Sequence, residues 1–128
     1  RLVGRLVQEL TRRQQLLGEL GVGSVQAQRD ACRDANGTPL PWLVLLVDGW
    51  EGMVQAFEGV DHGLPTDQLL RILREGPAAG MSLLLAGGRD LLISQVSSLV
   101  PDRLVLPLAD PTDLVLAGIP PSAVPLSH

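Results

Sequence analysis

The chain contains no lysine and no tyrosine, and only one phenylalanine, two tryptophans and one cysteine. The missing lysine removes whole classes of chemistry. A phosphate-binding loop of the Gly-x-x-x-x-Gly-Lys-[Ser/Thr] type needs its Lys on the β and γ phosphates, and nothing in the chain approaches that pattern. A phosphorylated receiver domain, which would also end a strand on an Asp, needs an acidic pair and a later Lys, so it is excluded as well. The lone Cys32 excludes an internal disulfide and fits a reducing compartment. Scarce aromatics mean that the core is built from Leu, Val, Ile and Ala, which suits parallel strands covered by helices.

All ten positive charges are Arg, and against fourteen acids the net charge is −4, so the overall balance carries no nucleic-acid footprint. The 128 residues make about one domain, and folding at this size buries roughly two-thirds of the unfolded chain's surface. No apolar run reaches the ~18–20 residues of a membrane span. No secretory signal is present, and the chain opens at Arg1 inside a helical pattern. The sequence reads as a portion of something longer, with a cytoplasmic location expected for it and a membrane-associated parent as the alternative.

Val3, Leu6, Leu10, Leu17 and Leu20 keep one apolar stripe, interrupted at Arg13, and predict a helix over residues 2–20. That pattern favours a helix packed on a sheet face over a coiled-coil arm. Ser24 is placed to cap a second helix reaching Ala35, with Val25, Ala31 and Cys32 inward. Trp42–Val47 and Met81–Ala86 lack alternation and predict strands buried on both faces. Between them a helix is expected from Thr66 or Asp67 to Glu75, with Leu69, Leu70 and Leu73 inward and Gly76-Pro77 as its stop. Leu92, Val96 and Leu99 predict a further helix, Arg103–Leu106 a third strand, and Asp110-Pro111-Thr112-Asp113 the cap of a last short helix. Strands separated by helices imply βαβ units and a parallel sheet, whose ligands sit at the strands' carboxyl ends.

Two such ends bear chemistry: Asp48-Gly49-Trp50-Glu51 and Gly87-Gly88-Arg89-Asp90. An apolar strand that delivers a carboxylate to the ligand edge suits a Walker B aspartate, which helps hold Mg²⁺ against nucleotide phosphates. The competing reading is an Asp-Gly turn with no ligand role. The place directly after Asp48, where many such ATPases carry a Glu that positions the attacking water, is held by Gly49. Glu51 is the weak catalytic candidate; on an extended backbone it would lie ~6–7 Å beyond Gly49. Gly21-Val22-Gly23-Ser24 follows a helix and not a strand, so it reads as a helix break. His62 reads as a loop residue, and Trp50 and Phe57 as packing residues.

Three stretches together resemble the FtsK/SpoIIIE family of ring-forming motor ATPases, which includes the EccC-type ATPases of type VII secretion. Pro41–Asp48 is similar to the family's Walker B strand, and residues 69–86 to the helix and strand that follow it. Residues 101–113 are similar to its Ile-Pro-x-Arg, strand, Asp-x-x-Asp segment. The resemblance covers about residues 41–118 and implies an α/β fold: part of a P-loop NTPase (RecA-like) core, three-layered, with a mostly parallel sheet. The organisation expected is a helical segment over 1–39, the Walker B and sensor-strand half of the core over 40–118, and an irregular tail over 119–128.

By the same resemblance Asp48 takes the Mg²⁺-associated position, and Arg89 matches the Arg of a Thr-Gln-Arg-Pro motif on the nucleotide side. Gly88 and Asp90 replace the motif's Gln and Pro. Alternatively, Arg89 is a surface residue pairing with Asp90 or a neighbouring helix, and helix capping accounts for Asp110 and Asp113. With Gly49 and Gly88 both standing where polar groups are expected, the module reads as degenerate. ATP and Mg²⁺ are implied for the complete parent and not for this chain alone. The implied activity is ATP-driven DNA translocation. The alternatives are an EccC-like protein-secretion ATPase domain and a non-catalytic interaction module. Implied partners are other subunits or tandem domains of a ring, DNA for the parent, and self-association through an open sheet edge.

Overall fold

The computed structural model describes residues 1–107 and 110–123. Leu108 and Ala109 of the third resembling stretch, the end of the expected tail and His128 lie outside the described residues. The chain divides into two compact units, Arg1–Ala86 and Gly87–His128.

In the first unit α1 spans Leu2–Glu19, and α2 spans Val25–Ala35 with Ser24 Oγ accepting the Ala27 amide at 3.1 Å. Then follow β1 (Leu43–Asp48), α3 (Trp50–Glu58), α4 (Leu64–Glu75) and β2 (Met81–Ala86). Between α1 and α2, Gly21-Val22-Gly23-Ser24 is a helix break, as its sequence context requires. Helix α4 starts earlier than Thr66, with Gly63 before it and Pro65 in the first turn, where a missing N–H costs nothing. It buries Leu69, Ile72 and Leu73 and packs on α1, α3 and β2. Gln14 Nε2 and Arg71 Nε both donate to Glu75 Oε2, at 3.0 and 3.1 Å, tying α1 to the end of α4. After α4 the chain turns into β2 so tightly that a Cβ on Gly76 would meet the carbonyl oxygens of Ile72 and Met81.

Strands β1 and β2 pair in parallel, Leu43 beside Met81 through to Asp48 beside Ala86. This is the βαβ order expected of an α/β protein, crossing over through α3 and α4. It is not a P-loop core. The sheet has two strands among the described residues, and its burial alternates instead of being continuous. Leu43, Leu45, Val47, Met81, Leu83 and Leu85 point to the covered face. On the other face Val44, Leu46 and Leu84 are 61%, 69% and 63% exposed. The expectation of strands buried on both faces, and with it the third layer, is corrected here. An unbroken Leu/Val run cannot report a covered second face when no helix of the unit packs there.

Arg13 is the deepest departure from the α1 pattern. It does not interrupt the buried stripe but belongs to it, at 2% exposure. Its guanidinium donates to Glu9 Oε1 at 2.7 Å, to Pro41 O at 2.7 Å and to Ala79 O at 3.1 Å. Helix α1 is thereby pinned to the chain entering both strands. In α2 the inward residues are Val25 and Gln28, while Ala31 is exposed. Gln28 Oε1 accepts the Leu40 amide at 2.9 Å and Nε2 donates to Thr38 O at 3.2 Å, which holds the segment leading to β1.

In the second unit the helix expected around Leu92–Leu99 is two short ones, α5 (Asp90–Ile93) and α6 (Gln95–Leu99), because Ser94 is extended (φ −85°, ψ 175°). The third strand expected at Arg103–Leu106 does not form, and Leu104 is 93% exposed. Arg103 Nη2 donates to Ser97 O at 2.7 Å and Ser97 Oγ at 2.9 Å, tethering the segment to α6. Flanking Pro101 and Pro107 lack the N–H that a sheet ladder needs. Helix α7 (Pro111–Leu116) is capped as expected, Asp110 Oδ1 accepting the Thr112 amide at 2.8 Å. Among the described residues no helix is long and apolar enough to cross a membrane.

Candidate functional site

A parallel strand ends with its carbonyls and last side chains facing the loops that follow, and here β1 brings Asp48 to that edge. Asp48 lies on the exposed face and sits beside Ala86, the last residue of β2. Gly49 follows in a left-handed conformation (φ 73°, ψ 58°) that a side chain rarely tolerates, and it turns the chain directly into α3. Trp50, the first residue of α3, is buried at 4% exposure and anchors the turn.

This geometry replaces the extended backbone assumed for Glu51. Glu51 is half-buried in the first turn of α3 and so does not continue the strand. A carboxylate in a first helical turn is favoured by the helix dipole, which explains an acid there without catalysis. Sequence reasoning missed α3 altogether, although Trp50, Val54 and Phe57 carry a helical spacing that would have revealed it. Trp50 packs as expected, Phe57 is half-buried, and His62 is an exposed turn residue at φ 54°.

Arg89 belongs to the second unit, where it precedes α5. Its Nε lies 3.4 Å from Asp113 Oδ1. The partner is therefore Asp113 of α7, and not the adjacent Asp90. Asp113 Oδ1 is shielded from solvent and makes no hydrogen bond among the described residues, so the pair is a loose ion pair and not a charge-assisted hydrogen bond. The structure thus joins two residues that the sequence nominated separately. The Thr112 amide holds the Asp110 carboxyl below its usual range, as an N-cap should.

No group of three or more His, Cys, Asp or Glu able to hold a metal occurs among the described residues. Asp48 alone is a single hard oxygen donor. A Mg²⁺ held there would have to take the rest of its octahedron from groups other than protein side chains. A separate open hollow of about 200 Å³ is lined by Arg29, Cys32, Arg33, Gly37 and Pro39. The spacing of Arg29, Cys32 and Arg33 on one side of α2 is its only sequence signal. It contains none of Asp48, Glu51 or Arg89.

The chain matches no protein-family model and no curated protein.

Proposed function

We propose that this chain is the Walker B half of a degenerate FtsK/SpoIIIE-type nucleotide-binding module, whose complete parent is an ATP-driven translocase. The observation that carries the reading is the β1–Gly49–α3 unit. It presents Asp48 at the carboxyl edge of a strand paired in parallel with the next one. That edge is where open α/β sheets bind ligands. The three resembling stretches add their order and spacing to it. In the complete parent, Asp48 would assist Mg²⁺ on the nucleotide phosphates, and a phosphate-binding loop would precede Arg1 in sequence.

DNA is the moved substrate on this reading, with protein the alternative if the parent is of the EccC type. Ring subunits or tandem domains are its partners. A third reading, an interaction module without nucleotide chemistry, is favoured by the exposed apolar face of Val44, Leu46 and Leu84. Gly49 in the water-positioning place argues the same way.

The readings separate on one experiment. A chain extended on its N-terminal side is titrated with ATP, with and without Mg²⁺, as wild type and as Asp48→Asn. Mg²⁺-dependent binding that the substitution weakens supports the nucleotide module. Absence of nucleotide binding leaves the interaction module.

A further inference from the structure

We draw no further inference here: the strongest candidate, the exposed apolar face of the two-stranded sheet around Val44, Leu46 and Leu84, carries nothing because nothing in the structure shows what covers it.

Discussion

Arg13 Nη1 donates to the carbonyl oxygen of Pro41 across 2.7 Å, joining the middle of α1 to the residue that leads into β1. The same guanidinium reaches Ala79 O, just before β2, so one buried cation registers the helix against both strands of the sheet. Arg13→Met removes the donors and leaves carbonyl acceptors beside an apolar chain. The expected loss is about 2–4 kcal/mol in denaturant unfolding. Arg13→Lys keeps the charge but not the planar fork, and should recover only part of that loss. A wild-type midpoint for Arg13→Met would show that the carbonyls need no partner.

Glu9 accepts from both Arg12 and Arg13. The hydrogen bond from Arg12, with that from Arg13 behind it, holds its carboxyl at about 2, against an ordinary 4.5. A carboxylate depressed in the folded state contributes stability that is complete above its unfolded value and is lost as pH falls through its folded one. Stability should therefore decline from pH 4.5 toward about 2. Glu9→Gln should remove part of that slope while leaving the neutral-pH slope unchanged. An identical acid profile for wild type and Glu9→Gln would contradict the assignment.

The sheet is covered on one side, so equal-sized residues on its region should respond unequally. Leu69, at 1% exposure, should cost about 2–5 kcal/mol as Leu69→Ala. Leu46, at 69% exposure, should change stability by less than about 0.5 kcal/mol as Leu46→Ser. A core-sized loss at Leu46 would mean that its face is buried in solution.

How much of this was readable in the sequence divides along physical lines. Helix α1, the Ser24 and Asp110 caps and both strand positions follow from local periodicity and capping chemistry, which a single sequence displays. Burial of β1 and β2 on one face only was not readable, because an all-apolar strand looks the same whether one or both faces are covered. Arg13 read as a break in the apolar stripe, since its partners are carbonyls 28 and 66 residues away. The third strand failed for a related reason. Arg103-Leu104-Val105-Leu106 has strand propensity, but a strand also needs a paired neighbour, and propensity cannot supply one. At the site, Asp48 was readable as a strand-end carboxylate, whereas the Arg89–Asp113 pairing depends on how α5 and α7 pack.

The Arg89–Asp113 pair is loose, and its Arg partner is largely in solvent, with side-chain exposures of 54% for Arg89 and 19% for Asp113. Exposed ion pairs contribute at most about 1 kcal/mol. Arg89→Ala should therefore shift the unfolding midpoint only slightly, and a double-mutant cycle with Asp113→Asn should show coupling below about 1 kcal/mol. Coupling well above that would make the pair a structural clamp between α5 and α7.

In the proposed module Asp48 is a Mg²⁺-associated carboxylate, and calorimetric titration of Mg-ATP into the N-terminally extended chain tests that role directly. The predicted result is Mg²⁺-dependent binding that Asp48→Asn weakens by at least about tenfold, or ~1.4 kcal/mol, with no tight binding to residues 1–128 alone. An extended chain that binds no nucleotide, or binds it equally well with Asn at position 48, would contradict the account, as would a micromolar dissociation constant for the 128-residue chain by itself.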